Sequence, residues 1–206
     1  MSRIAVIGAG FVGLSSAYHL MRDGHTVTLY EPVGAAGGAS FGNAGTFANY
    51  ACIPVNNPTV FRDLPRYLFS ADSPLRVRWR HLFSLAPWLA RFLWHSRAAP
   101  YTATATALSQ LLARAQSGYD TMIQDADLER FICPQECLYL YSSAKAFEGA
   151  KETLALRRRL GIDAQILDSA AIAALEPQLN PIFYRGALFR GSWHLNDPAA
   201  FLQALL

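Results

Sequence analysis

The chain has 206 residues, 52% apolar and 16% charged, enough for one sizeable core or one and a half small ones; this excludes a disordered, charge-dominated polymer. A formal net charge of +3 excludes a nucleic-acid binder recruited by bulk charge. Three cysteines, Cys52, Cys133 and Cys137, are too few for a disulfide framework and lack the second pair of a structural zinc site, so a reduced compartment and no metal are expected.

Arg3 to Ile7 is a short, largely β-branched run suited to a strand of a parallel sheet buried on both faces. The apolar start, Ile4 to Gly10, is short, follows a single Arg and runs directly into a glycine motif, so it does not read as a signal peptide, and no apolar stretch reaches the roughly 18 residues of a bilayer span. Gly8-Ala9-Gly10-Phe11-Val12-Gly13 comes next, and Phe11, Leu14, Ala17, Tyr18 and Met21 keep an apolar helical face as far as Gly24. Val27 to Glu31 reads as a second buried strand, placing an acid twenty-three residues after Gly8.

Each part of this βαβ unit has a physical task. Gly8 permits the tight turn, Gly10 removes a side chain where backbone must approach a pyrophosphate, and Gly13 lets the helix lie close on the sheet. The amino end of the helix directs unsatisfied N–H groups and a positive dipole end at the phosphates. Glu31 can accept hydrogen bonds from ribose hydroxyls, which disfavours NADP. The alternatives are a βαβ unit whose glycines serve only turns, and the NAD-binding domain of another oxidoreductase.

Residues 32–46 form a Gly- and Ala-rich passage much longer than a strand-to-helix turn requires, so its backbone is expected to pass close to something large. With Ser40-x-x-Asn43-Ala44-Gly45 following the GAGFVG motif, the chain resembles the FAD-dependent D-amino-acid oxidase and dehydrogenase superfamily, most of all its D-amino-acid dehydrogenase small-subunit branch. Further similarities are Asp72-Ser-Pro-Leu75, Ala86 to Leu93, Leu175-Glu176-Pro177-Gln-Leu179 and Asn196-Asp197-Pro198. The resemblance implies FAD as cofactor, held by Gly8, Ala9, Gly10, Phe11, Val12, Gly13 and Glu31, with Ser40, Asn43, Ala44 and Gly45 lining the flavin and pyrophosphate. It also implies oxidation of the Cα–N bond of an amine or D-amino acid to a 2-oxo acid and ammonia. The implied location is cytoplasmic, with peripheral contact to the inner membrane or its electron carriers.

From Arg62 to Arg97 there are seven Arg against two acids, interleaved with Trp79, Trp88 and Trp94 and broken by Pro65, Pro74 and Pro87. Pro87 is placed to open a helical turn over Trp88 to Trp94. Two readings stay open: an interfacial helix resting on anionic lipid, or a helical cap whose apolar face packs on a substrate domain. Thr102 to Ile123 has helical periodicity.

Beyond it the elements alternate: strand Cys137–Tyr141, helix Ala146–Leu160, strand Gln165–Leu167, helix Ala170–Leu175 capped by Asp168 or Ser169, and strand Arg185–Phe189. Arg157-Arg158-Arg159 reads as a solvated helix end. Asp197 and Pro198 open an apolar helix from Ala199 with no stop signal, so the chain is expected to end inside an element. The expected fold is α/β: a Rossmann-like FAD-binding βαβ unit with a partial, antiparallel-rich α+β substrate domain. The expected division is residues 1–60 for the first part of the FAD domain, 61–130 helical, 131–196 partial substrate domain, and 197–206 a helix returning to the FAD domain. A catalytically incomplete fragment that needs a C-terminal partner is the rival reading. No catalytic residue and no metal ligand is assigned.

Overall fold

The computed structural model describes residues 1–61 and 79–206. Expectations resting on Arg62, Pro65, Arg66, Pro74, Arg76, Arg78 and the Asp72–Leu75 similarity lie outside the described residues.

Strands β1 (Arg3–Ile7) and β2 (Thr26–Tyr30) pair in parallel, Arg3 opposite Thr26 and Ile7 opposite Tyr30, and helix α1 (Phe11–Arg22) makes the crossover. Side chains alternate across the pleat, so Ile4, Val6, Val27 and Leu29 turn toward one face and are half-buried. On the other face Ile7 is 88% exposed and Tyr30 58% exposed. Burial on both faces, expected from the β-branched runs, is therefore not found. The sheet has two strands, and among the described residues nothing covers its outer face.

The core under α1 is assembled from distant segments. Leu14 of α1 meets Met122 and Ile123 of the long helix α3 (Ala98–Asp125), together with Leu128, Leu195, and Phe201 and Leu202 of α6 (Pro198–Leu205). Helix α3 starts four residues before the expected Thr102 because Pro100 falls in its first turn, where a missing N–H costs nothing. Helix α2 (Leu82–His95) precedes it and packs against it. Pro87 lies inside α2 instead of opening a turn, so the helix continues through it.

Two antiparallel sheets complete the fold. One has the order β3 (Thr46–Phe47), β8 (Trp193–Leu195), β4 (Ile132–Pro134). None of its strands was expected, since two or three residues are too few to show a period of two. The other has the order β5 (Cys137–Tyr141), β7 (Arg185–Phe189), β6 (Gln165–Asp168), with helices α4 (Ala144–Arg159) and α5 (Ser169–Leu175) filling the connections. This is the alternation the sequence predicts. Helices α4, α5 and α6 begin at Ser143, Asp168 and Asp197, whose side chains accept the N–H of the third residue onward at 3.1, 2.9 and 2.9 Å.

Arg157 departs from the solvated-end expectation. It is 8% exposed, its Nε donates to the Tyr50 carbonyl at 3.1 Å, and its guanidinium lies 5.3 Å from the Phe189 ring centre and 5.7 Å from that of Tyr139. Helical periodicity turns this one arginine of the three inward beside Leu156, while Arg158 and Arg159 remain outside the core. It fastens Tyr50, four residues beyond the Gly-rich passage, to the β5-β7-β6 sheet. Arg157→Ala is expected to lower stability by about 2–4 kcal/mol, through the orphaned carbonyl and the vacated volume. Arg157→Lys should fall between, because an ammonium cannot stack as a planar guanidinium does. Urea unfolding midpoints check the order; equal midpoints for parent and Arg157→Ala would contradict it.

Candidate FAD cradle

The turn between β1 and α1 is held at three points. Gly8 has φ +103° and donates its N–H to the Tyr30 carbonyl at 2.8 Å, a conformation that a side chain would strain. Glu31 accepts the N–H of Ala9 at 2.8 Å through Oε2 and that of Val33 at 3.1 Å through Oε1. These two backbone bonds hold its carboxyl below the ordinary value, the Ala9 bond being the larger cause. The expected ribose acceptor therefore also staples the glycine turn to the end of β2, and each oxygen keeps a further lone pair for a hydroxyl.

At the amino end of α1 the cap residue is Gly10, which offers no side chain. Ser40 supplies the missing cap from twenty-nine residues away: its Oγ accepts the Phe11 N–H at 3.2 Å. A Cβ on Gly10 would come within 2.7 Å of that Oγ, and a Cβ on Gly13 within 1.9 Å of the Gly8 carbonyl oxygen. The Val12 and Gly13 N–H groups belong to the first helical turn and have no acceptor one turn back. Val12 is 81% exposed. The geometry fits a pyrophosphate: free backbone donors at a positive helix end, with approach to the backbone unobstructed by side chains.

The Gly-rich passage stays close to this turn. Ala36 donates its N–H to the Ala9 carbonyl at 3.2 Å, is buried, and adopts φ +62°, a left-handed conformation uncommon for alanine. Asn43 Oδ1 accepts the Gly45 N–H at 2.7 Å, and the Gly45 carbonyl accepts the Leu195 N–H at 3.0 Å. Gly45 has φ +64°, and a Cβ there would meet Pro198 Cγ at 2.9 Å and Leu195 Cβ at 3.0 Å.

The expected site residues thus divide into groups. Gly8, Ala9, Gly10, Phe11, Gly13, Glu31 and Ser40 are joined by bonds or near contacts at the turn, with Val12 beside them. Phe11, Asn43 and Gly45 line a cavity of about 190 Å³ together with Tyr119 and Trp193. Ala44 lies elsewhere, on a cleft of about 510 Å³ with Thr46, Tyr50, Glu176 and His194. In that cleft the Nδ1 of His194 is buried without a hydrogen-bond partner among the described residues. Tyr119, Trp193 and His194 carry no motif that marks them. The Phe47 and Trp193 rings stack at 4.7 Å, with Tyr119 edge-on to both, only because β3, β8 and α3 converge there.

The family model described as FAD dependent oxidoreductase matches residues 3–206, and the chain belongs to that family, whose cofactor is FAD. It is 32% identical over 208 residues to a D-amino-acid oxidase of Bradyrhizobium diazoefficiens, covering 98% of this chain and 48% of that protein. It is 27% identical to a D-amino acid dehydrogenase of Dechloromonas aromatica, covering 86% of this chain and 43% of that one. The chain therefore spans about half the length of these curated relatives. In fold it is similar to the glycine oxidase of Geobacillus kaustophilus, with a TM-score of 0.57, 17% identity, all of this chain and 44% of the other covered.

Gly13→Ala is expected to disrupt the cradle, because its Cβ would meet fixed backbone. Gly10→Ala displaces the Ser40 hydroxyl, losing one hydrogen bond worth about 1 kcal/mol, and sets a methyl group where the pyrophosphate approaches, without meeting fixed backbone. FAD affinity from flavin fluorescence quenching should rank parent, Gly10→Ala, Gly13→Ala; equal affinities would contradict the cradle. Since the folded-state pKa of Glu31 is depressed, its contribution to stability is present above the unfolded carboxylate value and is lost as pH falls through the folded one. Melting temperatures of parent and Glu31→Gln should thus differ most at neutral pH and converge in acid; a constant difference would contradict the staple.

Proposed function

We propose that this chain carries the cofactor-holding part, and a portion of the substrate-facing part, of an oxidoreductase that oxidises the Cα–N bond of D-amino acids. The observation carrying the proposal is the Ser40 bond to the Phe11 N–H, which sets the Gly-rich passage on the same helix end that is open to a pyrophosphate. The printed names of the two relatives direct the reading to D-amino acids. When bound, FAD supplies the acceptor for the hydride leaving Cα; the resulting imino acid is hydrolysed by water to a 2-oxo acid and ammonia.

In this reading the Val12 and Gly13 N–H groups hold the pyrophosphate, and Glu31 fixes the turn and accepts from the ribose. Ser40, Asn43, Ala44 and Gly45 form the wall along which the cofactor runs. The 510 Å³ cleft beside Ala44 and Thr46 is the side from which substrate approaches. The proposed segment division keeps residues 1–60 as cofactor-binding and 131–196 as substrate-facing, with 61–130 between them and 197–206 returning to the cofactor side.

A second reading, that catalysis needs polypeptide beyond this chain, is favoured by the uncovered face of the β1-β2 sheet, where Ile7 and Tyr30 are exposed. One experiment separates the two. The chain is reconstituted with FAD, desalted, and mixed anaerobically with D-alanine, L-alanine or glycine. Retained flavin that is bleached by D-alanine alone is the expected result. Retained flavin bleached by none of them supports the second reading. Flavin lost on desalting, or bleached only by L-alanine or glycine, contradicts the proposal.

A further inference from the structure

The cleft of about 510 Å³ has two unlike sides. On one lie Ala44 and Thr46, which mark it as the substrate side independently of its charge. The other is acidic: Glu136 enters from the two-residue connection between β4 and β5, and Glu176 from the residue that ends α5. Strand β8 runs between β3 and β4, so two strand spacings, about 10 Å, separate Thr46 from the strand that leads to Glu136. Helix α5 packs through Ile172 against Leu138 and Leu140 of β5, which keeps Glu176 on the β5 side as well. Leu138, Leu140 and Leu179 supply apolar wall. Among the described residues no Lys or Arg lines the cleft.

The charge of these acids is only partly met within the chain. Arg190 reaches Glu136 from outside: its Nη1 donates to Oε1 at 3.2 Å while its Nη2 donates to Gln165 at 2.7 Å. The Arg190 side chain is 67% exposed and that of Glu136 36%, so the carboxylate is the deeper partner. Its Oε2 has no donor among the described residues, and Glu176 has no ion pair among them. Beside apolar wall a charge is screened less than in open water, so an anionic side chain is repelled here. A neutral aliphatic side chain gains the leucine wall and leaves the carboxylates unpaired. A methylene chain ending in a cation meets both, its stem on the leucines and its head on the acids. Among the described residues no group of three metal-ligating side chains gathers anywhere, so the two carboxylates are not part of a metal cluster there.

We propose that this cleft selects D-amino acids whose side chain is a methylene chain ending in a cation, with the methylenes on Leu138, Leu140 and Leu179 and the cation at Glu136 and Glu176. The proposal rests on the reading of the cleft as the substrate side and narrows it to one substrate class. Calorimetry of the chain under anaerobic conditions, with FAD in excess, measures affinity for D-lysine, D-norleucine and D-glutamate. D-norleucine keeps the four-carbon chain of lysine without the ammonium. Bleaching of the flavin is followed by stopped flow on the same samples. D-lysine should bind about tenfold more tightly than D-norleucine, with D-glutamate weakest, and salt should narrow the gap. Glu136→Gln and Glu176→Gln should each lower the D-lysine preference about threefold. Glu176→Asp should retain most of it, and Arg190→Gln, which releases Glu136, should enlarge it. D-norleucine affinity should stay within about twofold in every variant, and melting temperatures separate loss of charge from loss of fold. Tighter binding of D-lysine without bleaching supports the selectivity and contradicts the oxidation reading. Bleaching by D-lysine and D-norleucine with equal affinities overturns the selectivity and leaves that reading standing. A preference unchanged in both glutamine variants, or no binding of any of the three amino acids, would also overturn the proposal.

Discussion

The structure depends on a set of backbone donors at the amino end of α1 that the helix cannot satisfy itself. A helix of ordinary sequence would begin with Ser, Thr, Asp or Asn and close its own first turn. Here the cap position is Gly10, and the capping oxygen arrives from Ser40. The exchange leaves the helix end open to an external anion while keeping one donor satisfied. It also fixes where the following passage must run, because Ser40 can reach the Phe11 N–H only if residues 32–39 fold back over the turn. The Ala36 bond to Ala9 and the Glu31 bonds to Ala9 and Val33 hold that return path.

From this anchor the remainder follows as packing. Gly45, in a left-handed conformation and pressed against Leu195 and Pro198, draws β8 and the start of α6 up to the passage. Helix α6 in turn places Phe201 and Leu202 in the core beneath α1. At the far end, Arg157 joins Tyr50 to the β5-β7-β6 sheet, and burial together with a hydrogen bond to the Cys137 thiol pushes the Tyr50 phenol well above its ordinary range. Thus one continuous stretch, from Gly8 to Tyr50, joins the β1-β2 unit, the β3-β8-β4 sheet and the β5-β7-β6 sheet.

Legibility in the sequence followed the length over which each signal repeats. The βαβ unit, the helices with Asp or Ser caps and the three strands of the β5-β7-β6 sheet were readable because periodicity or capping chemistry recurs within them. The β3-β8-β4 sheet was not, since Thr46–Phe47 and Trp193–Leu195 are defined only by partners far along the chain. The same holds for side chains. The glycines announce themselves by spacing, whereas Arg157, Tyr119 and His194 acquire their settings from tertiary contacts. Burial on both faces of β1 and β2 was inferred from composition, but the faces of a strand are covered by other elements, and none of those described lies on the outer one.

Hydrogen–deuterium exchange at the Val12 and Gly13 amides, with and without FAD, tests the central claim most directly. Slowed exchange at these two amides and along residues 40–45 on adding FAD, with little change on adding NAD, is the result this account predicts. Unchanged exchange at the helix end, with protection confined to other parts of the chain, would contradict it.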